Sequence, residues 1–303
     1  MIKTMIKGSN IIKDFDGFYA LNGLDISVPK GSVYGLVGPN GAGKTSLIKC
    51  LMSIYRFSGG DAKIDSSPDI ADEELKQKII CINDDLYFYP GFTVAETAKF
   101  YADIYKNWDE AAFKALGKIF DIDPARKVRK LSKGMQKQVA FWLGISARPE
   151  LMILDEPVDG LDPVARRTVM NIVLQEVESR KMTVLISSHN LRELEDICDY
   201  VGIMHEGKIV IEKSLDDVKG NIHKLQLAFT GEFPAQLENE IDVLKKDEFG
   251  SVKLLIVRGN GEKIFAAAKK YNPVICDILP LSLEEVFIYE LGGMGYELKN
   301  LII

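Results

Sequence analysis

Gly38-Pro39-Asn40-Gly41-Ala42-Gly43-Lys44-Thr45 lies between an apolar run, Val33 to Val37, and a helix-forming run, Ser46 to Ile54. The octet fits G-x-x-x-x-G-K-[ST]. Val33-Tyr34-Gly35-Leu36-Val37 is too short for a helix and reads as a strand buried on both faces, as in a parallel sheet. The glycines let the backbone turn its N–H groups around an anion, and the following helix adds partial positive charge at its N-terminus. Lys44 is placed to reach β- and γ-phosphates, and the Thr45 hydroxyl to coordinate Mg²⁺. The stretch predicts a nucleoside triphosphate site. Strand, loop, Lys-Thr and helix in this order set it apart from a glycine-rich turn that fits by chance.

Outward from the loop, the 303-residue chain, 47% hydrophobic, is long enough for about two domains around a large core. No apolar run reaches the roughly 18–20 residues needed to cross a bilayer. The stretch Met1-Ile2-Lys3-Thr4-Met5-Ile6-Lys7 lacks the apolar core of a signal peptide, so the chain is expected in the cytoplasm unless a partner brings it to a membrane. A net charge of −6 without a basic stripe argues against non-specific nucleic-acid binding. Cys50, Cys81, Cys198 and Cys276 are widely spaced, which signals neither a zinc site nor a disulfide framework and suggests reduced, buried small hydrophobes.

Residues 2–34 alternate polar and apolar in runs broken at Asp16-Gly17, Asn22-Gly23 and Pro29-Lys30-Gly31, the pattern of antiparallel strands and hairpins. Phe15 sits there among polar neighbours, where a ring either joins a core or stacks on a base. After the loop helix and a turn at Gly59-Gly60-Asp61, Ile79-Ile80-Cys81-Ile82 reads as another buried strand, ending in Asn83-Asp84-Asp85. Residues 93–105 and 109–120 have helical spacing, Thr93 with Glu96 makes a capping box, and no strand signal precedes residue 150. A helical insertion at about 86–148 is therefore expected. Leu151-Met152-Ile153-Leu154 follows as a strand ending in Asp155-Glu156, which places two acids in the crevice where α/β folds bind ligands. Asp155 is expected to hold Mg²⁺ through water, and Glu156 to orient or deprotonate an attacking water. A helix over 164–179 leads to the strand Thr183–Ile186, which ends in Ser187-Ser188-His189 and should bring His189 to the same crevice. Strands at 224–229, 240–245, 252–258 and 274–279, a helix at 262–271 and a capped helix from Ser282 then suggest a separate α+β domain.

With these segments placed, residues 2–220 resemble the ATP-binding subunit of an ABC transporter. The family's signature motif, L-S-G-G-Q, is matched by Leu131-Ser132-Lys133-Gly134-Met135; Asp155-Glu156, Gly160-Leu161-Asp162 and His189 follow in the family's order. The resemblance implies an α/β P-loop NTPase cassette, residues 1–220, with an N-terminal antiparallel β-layer and the helical insertion. A small C-terminal α+β accessory domain, 221–303, would follow. It implies ATP as ligand, contacted by Gly38, Pro39, Asn40, Gly41, Ala42, Gly43, Lys44, Thr45 and Ser46, with Phe15 stacking on the adenine. Mg²⁺ would fall to Thr45, Asp155 and Asp84, and catalysis to Glu156, His189 and Lys44. Ser132 and Gly134 would face the nucleotide of a second ATP-binding cassette, and a transmembrane permease subunit would hold the pair at the inner face of the membrane. No nucleic-acid partner is expected. Leu283-Glu284-Glu285-Val286-Phe287 is similar to a segment of exporter subunits. The sequence departs from the family at Lys133 and Met135, at Asp84 where a glutamine is usual, and at Asp159 where a serine is usual. A cytosolic ABC-type ATPase and a weakly hydrolysing regulatory module stand as alternatives.

Overall fold

The computed structural model describes residues 3–292; residue 2 of the expected β-layer and residues 293–303 of the expected accessory domain lie outside the described residues. The chain divides into two compact units, one of residues 1–190 and 197–212, the other of residues 191–196 and 213–303. That division comes before the expected boundary at 220, and the short segment 191–196 goes with the second unit.

The first unit contains the strands β1 (Thr4–Phe15), β2 (Phe18–Pro29), β3 (Val33–Val37), β4 (Gly59–Ile64), β5 (Ile79–Ile82), β6 (Leu151–Asp155), β7 (Thr183–Ser188) and β8 (Tyr200–His205); β9 (Lys208–Ser214) runs across the division. Its helices are α1 (Lys44–Leu51), α2 (Glu73–Lys76), α3 (Val94–Ile104), α4 (Glu110–Phe120), α5 (Lys133–Ser146) and α6 (Pro163–Arg180). A six-stranded sheet has the order β5-β6-β7-β3-β8-β9, and its first five strands pair in parallel. Every residue of β3, β6 and β7 is buried, which explains their unbroken apolar runs. Parallel pairing also brings the C-terminal ends of β3, β6 and β7 side by side: Val37 faces Ser188, and Asp155 faces Ser187.

A three-stranded antiparallel layer, β2-β1-β4, forms the other sheet. Asp16-Gly17 makes the expected hairpin turn between Phe15 and Phe18. Two other expected breaks are not turns. Asn22-Gly23 lies inside β2, and Gly59-Gly60-Asp61 opens β4 against β1. Both sit where the pairing register shifts, and Gly60, at φ 75°, has no room for a side chain because a Cβ would come 2.1 Å from the Asn10 carbonyl oxygen. Glycine here marks a bulge rather than a chain reversal.

The expected insertion is helical. α3 starts at Thr93 with a complete capping box, and α4 and α5 pack through Trp142. Its ring stacks on Phe113 with centroids 4.5 Å apart, and its Nε1–H donates to the Phe113 carbonyl at 2.7 Å. The ring therefore adds dispersion contact to buried area without leaving its polar atom unpaired.

The second unit has its own core. Strands β10 (Ile222–Ala228), β11 (Asp242–Phe249), β12 (Val252–Arg258) and β13 (Ile275–Leu279) form an antiparallel sheet in the order β11-β12-β10-β13. Helices α7 (Leu215–Gly220), α8 (Leu237–Glu240), α9 (Gly261–Lys269) and α10 (Leu283–Gly292) complete it. Leu225, Leu227, Leu255 and Val257 meet Ile264 and Ala268 of α9 in the centre. α10 is entered through Ser282 and Glu285, whose side chains each bond the other's main-chain N–H. All four cysteines are free thiols, but only Cys50 is buried as expected; Cys81, Cys198 and Cys276 are half-buried.

Candidate nucleotide site

The loop after β3 is held by close backbone approaches. A Cβ at Gly38 would come 2.3 Å from the Met204 carbonyl oxygen. Gly43, at φ 107°, is the N-cap of α1 and offers no side-chain oxygen to the first N–H groups of that helix. Those donors are instead available to an anion at the loop, with the helix dipole behind them. The pattern strand, tight loop, helix is thus built as its residues require.

A cleft of about 360 Å³ opens at this point, lined by Asn40, Gly41, Gly43, Lys44, Thr45 and Ser46 of the loop and first helical turn. Asp84, Asp155 and Glu156 add carboxylates to the lining, and Phe18 and Ala20 complete it. Pro39 and Ala42 serve the loop itself, since Pro39 O accepts from the Ala42 N–H and Ala42 O accepts from the Gly207 N–H. Lys44, 5% exposed, donates to the carbonyls of Gly38 at 2.6 Å and Pro39 at 3.3 Å. Its Nζ also lies 3.4 Å from Glu156 Oε1.

Strand ends position the acids. Asp155 is the last residue of β6 and accepts a 2.6 Å hydrogen bond from the Ser187 hydroxyl of β7. The same hydroxyl accepts the Glu156 N–H at 3.0 Å. Glu156 has the left-handed φ of 45°, a conformation rare for a residue with a side chain and often found at functional sites. Its Oε2 lies 3.0 Å from His189 Nδ1 and accepts the His189 N–H at 3.3 Å. Asp159 also belongs here: one ligand atom each from Glu156, Asp159 and His189 lie within 4.8 Å of one another. Beside Asp155, burial and then the carboxylate's charge push the Cys81 thiol up to about 12, so this sulfur stays protonated.

Of the expected residues, Gly38, Pro39, Ala42 and His189 are bonded to the loop or to Glu156 without lining the cleft, and Phe15, Ser132 and Gly134 do not line it either. Phe15 packs edge-on against Tyr55 at 5.3 Å, with the Lys13 ammonium 4.6 Å from its ring centre, and the exposed Phe18 lines the cleft instead. Ser132 caps α5 by accepting the Met135 N–H at 3.2 Å, and Gly134 lies near the Gly160 carbonyl. Neither lines this chain's own cleft. Lys133, the first residue of α5, is exposed.

Two participants escape the sequence reading. Ser187 looks like an ordinary strand residue, and its link to both acids follows only from the pairing of β6 with β7. Lys137 looks like a solvated helix lysine but is 6% exposed, donating to Asp84 Oδ1 at 3.1 Å and to the Glu156 carbonyl at 3.0 Å. No local signal marks it.

Comparison with known proteins places this geometry. The family model described as ABC transporter matches residues 21–159. The ABC transporter ATP-binding protein YtrB of Bacillus subtilis (strain 168) is 30% identical over 290 residues, covering 95% of this chain and 99% of that protein. The bacitracin transport ATP-binding protein BcrA of Bacillus licheniformis is 31% identical, covering 96% and 99%. The lantibiotic transport ATP-binding protein SrtF of Streptococcus pyogenes is 32% identical, covering 70% and 92%. A solved ATP-binding subunit of an ABC transporter superposes with a TM-score of 0.66 at 26% identity, over 71% of this chain and 92% of that one. Phosphate loop, paired acids and histidine on one edge of the parallel sheet, together with relatives matched end to end, make the chain a member of the ABC transporter ATP-binding protein family.

Proposed function

We propose that the chain binds ATP with Mg²⁺ and hydrolyses it to drive a membrane transporter, with export as the direction. The observation that carries hydrolysis is the Glu156 carboxylate, held between Lys44 and His189 at the mouth of the phosphate loop. A carboxylate held there can orient water toward a γ-phosphate and accept its proton. Lys44 then has a stronger acceptor in a phosphate than in the carbonyls of Gly38 and Pro39, and balances charge that develops on the phosphoryl oxygens. His189 steadies the far oxygen of Glu156.

The oxygen donors fit Mg²⁺. Thr45, Asp155 and Asp84 line the same cleft and offer hydroxyl and carboxylate oxygens, the ligands a hard cation prefers. When bound, Mg²⁺ supplies charge neutralisation between the phosphates.

Ser132 and Gly134 stand outside their own chain's cleft, which supports a pair of cassettes in which each signature segment serves the other's nucleotide. No described helix is long and apolar enough to cross a membrane; a separate transmembrane permease is accordingly the proposed partner, with this chain on its cytoplasmic face. Two relatives are named for bacitracin and lantibiotic transport, and the proposed direction rests on the likeness of Leu283-Glu284-Glu285-Val286-Phe287 to a segment of exporter subunits.

The test is Glu156→Gln. Its amide keeps the shape of the site but cannot take a proton, so phosphate release should fall about 100-fold or more while ATP binding persists. With ATP the variant should elute as a dimer on size exclusion. Full phosphate release would remove Glu156 from the chemistry, and a monomer at saturating ATP would overturn pairing between identical chains.

A further inference from the structure

Lys137 does not line the cleft, yet it is one of the few charged side chains buried in the first unit and is paired with Asp84, a proposed Mg²⁺ ligand. An ammonium taken out of water is costly unless its partners are well placed. Here they are the Asp84 carboxylate at 3.1 Å and the main-chain oxygen of Glu156 at 3.0 Å. Asp84 has a side chain 58% exposed and could be met by a lysine left in solvent. The Glu156 carbonyl is the second acceptor, and the bond to it is partly buried.

That carbonyl belongs to the residue with a left-handed φ of 45°. The Glu156 N–H is already held by the Ser187 hydroxyl at 3.0 Å. Both main-chain polar groups of Glu156 are therefore held by side chains, one from β7 and one from α5, and the carbonyl also accepts the Asp159 N–H at a longer 3.4 Å. With the backbone fixed on both sides of Cα, the direction of Cβ is fixed, and with it the aim of the carboxylate toward Lys44 and His189. We propose that Lys137 is a positioning residue for Glu156: its ammonium pins the Glu156 carbonyl, and Asp84 pins the ammonium. A shift of α5 is then transmitted to the hydrolytic carboxylate through one side chain. This inference rests on the assignment of Glu156 to hydrolysis.

The test uses the full chain and two backgrounds, Glu156 and Glu156→Gln, with phosphate release followed at several ATP concentrations and nucleotide affinity measured separately. Lys137→Met keeps the length of the side chain and removes charge and donor. At saturating Mg²⁺, so that a change at Asp84 does not limit the rate, it should lower kcat about tenfold or more in the Glu156 background and leave KM for ATP within about twofold; in the Glu156→Gln background it should change the residual rate by less than about twofold, because no carboxylate remains to be aimed. Lys137→Gln retains an amide donor and should lose less, again only where Glu156 is present. If Lys137→Met does not bind nucleotide, the Gln variant decides by the same comparison. Equal losses in both backgrounds, or a raised KM with unchanged kcat, would overturn the positioning role. Full turnover by Glu156→Gln alone would overturn the hydrolytic assignment and the positioning role with it, and is seen before Lys137 is touched.

Discussion

Residue by residue, the loop separates two kinds of glycine. Gly41 has φ 84° and nothing within 4 Å of where a Cβ would stand, whereas Gly43 has φ 107° and a Cβ there would lie 2.4 Å from the Ala20 carbonyl oxygen and 2.7 Å from Met204 Cε. Gly41→Ala meets only the left-handed backbone penalty, about 1–2 kcal/mol. Gly43→Ala meets that penalty and a backbone collision that moves the residue directly before Lys44. We expect Gly41→Ala to bind ATP within about fivefold of the parent, and Gly43→Ala to lose about tenfold or more and to unfold at a lower temperature than Gly41→Ala. Equilibrium nucleotide titration with thermal unfolding of both variants checks this. Similar losses in the two would mean that φ alone, and not the approach of Ala20, governs the loop.

Between elements, α4 and α5 show packing overriding propensity. Gly117 is inside α4, where replacing glycine with alanine ordinarily gains about 1 kcal/mol. A Cβ at 117 would, however, come 2.6 Å from the ring of Trp142. Trp142 is 1% exposed and is tied to Phe113 by stacking and a hydrogen bond, so it has little freedom to retreat. Overpacking costs about 1–3 kcal/mol and should win. Gly117→Ala is expected to lower stability by about 1 kcal/mol, read as a lower denaturant midpoint at unchanged slope. The same contrast explains what the sequence could reveal. β3, β6 and β7 are buried on both faces, so their apolar runs announce them, and Glu156 and His189 can be placed from the ends of those runs. Thr93 with Glu96 and Ser282 with Glu285 are local caps and are legible for that reason. The bulges at Gly23 and Gly60 are not, because a glycine that admits a partner strand looks the same as one that reverses the chain. Lys137 is hidden because its partners come from residues 84 and 156, and helical spacing says nothing about either. Phe15 and Phe18 lie on the two arms of one hairpin; Phe18 lines the cleft and Phe15 packs on Tyr55, a contact their neighbours in sequence do not announce.

Over the full length of the chain, the two compact units suggest where it can be cut. The division falls after Glu212, not at 220. α7, between the two positions, packs against β10 and α10 of the second unit, so a chain ending at Gly220 would carry α7 without its partners. A chain ending at Glu212 keeps all of β1 to β8, the phosphate loop, Glu156 and His189, and it keeps the Tyr34 hydroxyl's 2.7 Å bond to Glu212, whose oxygen also accepts the Ser27 N–H. It still contains Leu191 and Leu194, which are 5% and 1% exposed in the full chain and belong to the second unit. Uncovering two leucines loses burial worth about 1.5–3 kcal/mol each and leaves an apolar patch prone to association. We therefore expect the 1–212 chain to bind ATP within about threefold of the full chain but to aggregate, and the same chain with Leu191→Ser and Leu194→Ser to remain monomeric without nucleotide. Light scattering and ATP titration of both chains distinguish the outcomes. A soluble, serine-substituted 1–212 chain that no longer binds ATP would show that the second unit supports the phosphate loop, and the cassette would then have to be drawn to include it.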